Sequence, residues 1–132
     1  KSLSQNFLID GHIVENIVRA ADIKPEDTVL EIGPGPGVLT EALIKTGCHI
    51  VAIEKDRLFA EHLPRLSKEI RVIEGDFLEQ DLKKLLPKKT KVVANLPYSL
   101  TSPILEKLFQ NSDLFDTLHL MVQKEVADRI VS

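Results

Sequence analysis

The sequence has 132 residues, 17 Lys and Arg against 20 Asp and Glu, a net charge of −3 and 43% hydrophobic residues, the proportions of one folded domain. No apolar run approaches the roughly 20 residues of a membrane span, because even residues 28–32 and 118–122 are bounded by polar or charged neighbours. A pI near 5.8 argues against a strongly basic nucleic-acid binder, and a single cysteine, Cys48, with four scattered histidines leaves neither an internal disulfide nor metal-ligand spacing.

Short runs rich in Val and Ile alternate along the chain with stretches of helical period. Before the first run, Ile13, Val14, Ile17 and Ala21 fall on one helical face, with Asp10 placed to cap it. Residues 28–32, 49–53, 70–73, 91–94 and 117–122 read as buried strands, each bounded by Gly, Pro, Asp or Asn. Between them, residues 38–45, 57–66, 82–86 and 103–110 read as helices. Pro64 is expected to end or distort the second of these, and Pro103 to occupy a first turn capped by Ser102. Residues 124–132 also carry a helical pattern, and the lysine-rich stretch 83–91 reads as a solvated turn before the fourth strand. This alternation predicts an α/β fold, a parallel doubly wound sheet of about five strands with right-handed crossovers, in a single domain over residues 1–132.

In such sheets ligands bind outside the carboxyl ends of the strands, near the point where strand order reverses. After the first strand comes Glu31-Ile32-Gly33-Pro34-Gly35-Pro36-Gly37; after the second, Glu54-Lys55-Asp56; after the third, Glu74-Gly75-Asp76-Phe77; after the fourth, Asn95-Leu96-Pro97-Tyr98. A dinucleotide loop places its third glycine three positions after the second, and here that position is Val38. Pro34 and Pro36 lack N–H groups and cannot cradle a phosphate, so a ligand without phosphate is favoured; the alternative is a tight strand-to-helix turn with no ligand at all. Gly33 and Gly35 allow close backbone approach to it.

Glu54 stands where an acid accepts hydrogen bonds from ribose hydroxyls, or else is a solvated carboxylate beside Lys55. Asp76 is suited to accept from an adenine amino group, with Phe77 as an apolar wall, or else is a helix cap. Together these residues describe an adenosine site without a pyrophosphate clamp, which fits S-adenosylmethionine better than NAD. In Asn95-Leu96-Pro97-Tyr98, the Asn95 side-chain carbonyl and the backbone carbonyl of Leu96 or Pro97 are suited to accept the two N–H bonds of an adenine amine and aim its lone pair at a methyl sulfonium. Pro97 stiffens the segment, and Tyr98 is suited to stack on an unstacked base. The alternative is a turn with its aromatic ring packed on the core.

These residues resemble the ribosomal RNA adenine N6,N6-dimethyltransferases, the KsgA-like enzymes. The resemblance runs through Ser4-Gln5-Asn6-Phe7-Leu8, Glu31 to Thr40, Ile53-Glu54-Lys55-Asp56, Gly75-Asp76-Phe77, Asn95-Leu96-Pro97-Tyr98 and Met121 to Arg129. It implies a Rossmann-like methyltransferase that uses S-adenosylmethionine to dimethylate two adjacent adenosines near the 3′ end of small-subunit rRNA, in the cytoplasm, on a pre-ribosomal particle. It also implies that Gln5, Asn6 and Leu8 close over the cofactor, Gly33 lines it, Glu54 holds the ribose, Asp76 the adenine, and Asn95 stands between donor and acceptor. Gln123 and Lys124 match a fifth-strand motif whose role stays open between structure and RNA contact. Ser4 departs from the family's usual glycine.

Members of that family are about twice this length, so the expectation is an excised portion that stops before two further strands and a helical domain, from a protein monomeric when full length. The chain begins with Lys and carries no signal-peptide pattern. The rivals are the related large-subunit rRNA adenine methyltransferase, a non-catalytic ribosome-assembly module and, least compatible with Val38, an NAD-dependent oxidoreductase. The paired prolines of the glycine loop and Leu96 favour the small-subunit enzyme.

Overall fold

The computed structural model describes residues 11–123. Five parallel strands, β1 (Thr28–Ile32), β2 (His49–Glu54), β3 (Ile70–Glu74), β4 (Thr90–Pro97) and β5 (Phe115–Gln123), form one sheet in the order β3-β2-β1-β4-β5. The chain winds outward from β1 to β3, then crosses back to place β4 on the other side of β1. The strand order therefore reverses between β1 and β4, where a doubly wound sheet opens a crevice for a ligand.

Two apolar layers cover the sheet, as expected for parallel strands buried on both faces. On one face, α1 (Gly11–Ala21) and α2 (Val38–Ile44) bring Val14, Ile17, Leu39 and Leu43 onto Val29, Ile50, Ala52 and Val93. On the other, α4 (Leu82–Leu85) and α5 (Thr101–Gln110) bring Leu82, Ile104 and Leu108 onto Leu30, Ile32, Val92, Ala94 and Leu96. The buried residues of α1 are Val14, Ile17 and Ala21, three of the four expected, while Ile13 faces solvent. Its expected cap, Asp10, lies outside the described residues, as does the helix expected at 124–132.

Helix α3 (Arg57–His62) is capped by Asp56, whose Oδ1 accepts from the Leu58 and Phe59 N–H groups, and it tightens into a 3-10 turn at Leu63–Arg65 where Pro64 interrupts it. Two expectations need correction. Strand β4 continues beyond Ala94, so Asn95, Leu96 and Pro97 are ladder residues paired with Met121, Val122 and Gln123 rather than a loop. Leu96 is buried on the sheet, and the long β5 supplies partners that turn-forming Asn and Pro conceal. Helix α5 starts at Thr101 with Leu100 as its cap, not at Pro103 with Ser102. A 3-10 turn at Tyr98–Leu100 leads into it, and Thr101 Oγ1 donates to the Pro97 carbonyl at 3.0 Å. Pro103 still lies in the first turn, where its missing N–H has no intrahelical partner to lose.

Among the described residues no helix is long and apolar enough to cross a membrane, and no group of three or more His, Cys, Asp or Glu is placed to hold a metal.

Candidate active site

The carboxyl ends of the strands converge on one cavity. Gly33 after β1, Glu54 closing β2, Gly75, Asp76 and Phe77 after β3, and Asn95, Leu96 and Pro97 in β4 all line it. A small adjoining pocket is lined by Glu31, Gly33, Pro34, Pro36, Val38, Leu39 and Asn95, so Gly33 and Asn95 belong to both.

The loop's backbone donors decide what it can hold. Gly33 N–H donates to the Ile53 carbonyl at 2.9 Å, Gly35 N–H to Glu54 Oε1 at 2.7 Å and Gly37 N–H to the Pro34 carbonyl at 3.2 Å. Pro34 and Pro36 have no N–H to offer. Every amide hydrogen from Gly33 to Gly37 is therefore already committed, and the loop presents none to a pyrophosphate. All three glycines have positive φ, at 63°, 61° and 97°, and the space where a Gly33 Cβ would stand is open.

Glu54 is buried, with Oε1 on Gly35 N–H and Oε2 on Asp56 N–H at 2.8 Å. It is not a solvated surface carboxylate. A carboxylate has about four lone-pair sites, so two remain for hydroxyl donors. Asp76 takes the cap weighed for it, Oδ1 accepting from Leu78 N–H at 2.9 Å at the start of the Phe77–Glu79 turn, while Oδ2 lies 4.0 Å from Lys55 Nζ and the residue lines the cavity. Phe77 is buried and forms part of the cavity wall. Tyr98 is 61% exposed, which rules out the core-packed alternative, and it is not among the residues lining the cavity, although Pro97 before it and Leu100 after it are. Of the two backbone acceptors considered beside Asn95, the Pro97 carbonyl already takes the Thr101 hydroxyl and keeps one lone pair.

Several cavity residues carried no ligand role from the sequence, Ile32, Ile53, Lys55 and Leu78 among them. Leu100 and Ile104 lie four apart at the start of α5, and Gln123, whose role was open, ends β5 on the cavity opposite Pro97. Glu31 was the most consequential omission. Its side chain is 1% exposed, Oε1 accepts from Thr40 Oγ1 at 2.5 Å, and Oε2 has no partner among the described residues. Burial, with a smaller contribution from the Glu54 charge, pushes its carboxyl up to about 8. Gln5, Asn6, Leu8 and Lys124 lie outside the described residues.

A family model described as ribosomal RNA adenine dimethylase matches residues 1–132. The chain belongs to that family. The small-subunit rRNA methyltransferase A of Protochlamydia amoebophila is 48% identical over 141 residues, covering 100% of this chain and 50% of the relative. That of Geobacter metallireducens is 41% identical over 139 residues, with the same coverage. The chain thus spans about half the length of the curated relatives it matches. Among solved structures, a dimethyladenosine transferase from Plasmodium falciparum has a TM-score of 0.74 at 34% identity, covering 95% of this chain and 46% of that one. The 23S rRNA methyltransferase ErmE has a TM-score of 0.77 at 28% identity, covering 91% of this chain and 49% of that one. The Rossmann-like methyltransferase fold expected from the sequence is the fold these neighbours share.

Proposed function

We propose that the protein transfers methyl groups from S-adenosylmethionine to the N6 amines of two adjacent adenosines near the 3′ end of small-subunit rRNA, in the cytoplasm, as a step in assembly of that subunit. The observation that carries this reading is the convergence of Gly33, Glu54, Asp76 and Asn95 on one cavity beside a glycine loop with no amide left for phosphate. The residues fit the cofactor: a nucleoside has hydroxyls for the free lone pairs of Glu54 and an amino group for Asp76, and it needs no phosphate cradle.

S-adenosylmethionine, when bound, supplies an electrophilic methyl group. The remaining work belongs to the chain. Asn95 accepts an N–H bond from the target amine through its side-chain carbonyl, and a backbone carbonyl of Leu96 or Pro97 accepts the second. Both bonds strengthen as the amine becomes tetrahedral, so no strong base is required. Tyr98, exposed at the end of β4, stacks on the extruded base. Gln5, Asn6 and Leu8 close over the cofactor from the N-terminal side.

Transfer of labelled methyl groups by the full-length protein to unmethylated small and large ribosomal subunits tests the substrate. Label is expected in small-subunit rRNA alone. The backbone match to ErmE favours a large-subunit enzyme as the second reading, and label confined to large subunits would establish it. A full-length protein that binds no S-adenosylmethionine in calorimetry would favour a non-catalytic assembly module. Asn95→Ala is expected to abolish transfer while keeping cofactor affinity within severalfold, and Glu54→Ala to weaken cofactor binding by about tenfold or more. Equal loss of cofactor binding in both would contradict this division of roles.

A further inference from the structure

The turn that follows β3 is held from outside the cavity. Asp76 caps it from within, and Gln80 folds back over it, its side-chain Nε2 donating to the Asp76 carbonyl at 3.1 Å. A Cβ at Gly75, whose φ is positive at 156°, would stand 2.7 Å from that same Nε2, so a side chain there would displace the Gln80 amide from the turn. The Gln80 carbonyl in turn accepts from Lys107 Nζ at 2.5 Å, and the same ammonium lies 5.4 Å from the centre of the Phe77 ring. Lys107 stands on α5 between Ile104 and Leu108, which anchor that helix on the sheet, and Ile104 lines the cavity itself.

The chemistry suits an ammonium. It provides a donor for a carbonyl at the end of the turn, a cation over a ring face, and a positive charge among the carboxylates of Asp76, Glu79 and Asp81. Burial draws the Lys107 pKa below its ordinary value, while those three carboxylates oppose the shift.

We propose that Lys107 is a positioning residue for adenine recognition, fixing the Asp76–Phe77 turn against the cavity from the anchored helix α5. The proposal rests on the reading of this cavity as an adenosine site. Lys107 does not itself line the cavity; it acts through Phe77 and Gln80.

The test is calorimetric titration of the full-length protein with S-adenosyl-L-homocysteine and with its S-inosyl analogue, in which an oxygen replaces the adenine amino group. In the wild type the adenine ligand binds more tightly by about tenfold or more, because Asp76 then meets a donor instead of an acceptor. Lys107→Met is expected to weaken the adenine ligand by about tenfold and to bring the two ligands within about twofold of one another. Lys107→Arg restores most of the preference. Lys107→Gln keeps an N–H donor without the charge, folds where Met is not tolerated, and is expected to show an intermediate preference. A preference unchanged in Lys107→Met or Lys107→Gln, or equal weakening of both ligands, overturns the proposal. A wild-type protein that binds neither ligand overturns the adenosine reading itself.

Discussion

Glu31 stands one residue before the end of β1, near the glycine loop, with one carboxyl oxygen on Thr40 and the other without a partner among the described residues. A buried carboxyl in that setting is cheaper to keep neutral than charged, which is why its pKa rises from the ordinary 4.5 to about 8. The sign of the linkage follows. Between pH 4.5 and 8 the folded protein holds a proton that the unfolded chain gives up, so stability falls as pH rises through that window and levels off above it. The slope from this one group is at most about 1.4 kcal/mol per pH unit. Glu31→Gln, neutral at every pH, is expected to remove that contribution, so that its urea midpoints at pH 5.5 and pH 8 differ less than those of the wild type. Parallel pH profiles for the two proteins would show that Glu31 titrates normally.

Elements are joined here by single side chains reaching across long stretches of sequence. Lys91, at the start of β4, donates from Nζ to the carbonyls of Ala21 and Asp22 at 3.2 and 2.8 Å and pairs with Asp27 Oδ2 at 3.0 Å. It thereby closes the C-terminal end of α1, where Asp22 takes a left-handed φ of 51°. Burial pushes the Asp27 carboxyl up, but the Lys24 N–H and the Lys91 ammonium outweigh it and hold the pKa below its ordinary value. Lys91→Met leaves two carbonyls and a partly buried carboxylate without their cation, and is expected to cost about 3 kcal/mol in denaturant unfolding. Hydrogen exchange across 11–21 is expected to rise more than across β2, and uniform exchange would show that Lys91 does not pin α1. Nothing local in the sequence announces such a contact, since its partners lie about seventy positions apart. Strands β1, β2 and β3 were readable because each is a short apolar run stopped by glycine or an acid. The extension of β4 was not, because Asn95 and Pro97 have the composition of a turn and only pairing with β5 makes them strand. The start of α5 was misplaced for a similar reason: Thr101 tethers the chain to Pro97 before Pro103 is reached.

At the scale of the molecule, the candidate binding groups hang from one sheet. Gly33 and Asp76 follow β1 and β3, Glu54 ends β2 and Asn95 lies in β4 two residues before its end, four adjacent strands whose buried faces form both halves of the core. Their convergence was legible in the sequence, because each stands at or close to the carboxyl end of a strand. Their electrostatic states were not: the commitment of Glu54 to Gly35 and Asp56, and the raised pKa of Glu31, arise only when β1, β2 and α2 pack together. A ligand that bridges these strand ends binds only where the sheet is assembled, so its binding energy adds to folding stability. S-adenosylmethionine at a hundredfold excess over its Kd is expected to stabilise the full-length protein by about 2.7 kcal/mol, raising Tm by about 5–10 °C. NAD at the same concentration is expected to leave Tm unchanged, since the loop amides a pyrophosphate needs are already donated to Ile53, Glu54 and Pro34. Glu54→Ala, with affinity weakened about tenfold or more, should lose about half or more of the S-adenosylmethionine shift at that fixed concentration. An equal shift with NAD would mean that the loop reopens its internal hydrogen bonds for phosphate, and would return the site to the dinucleotide class.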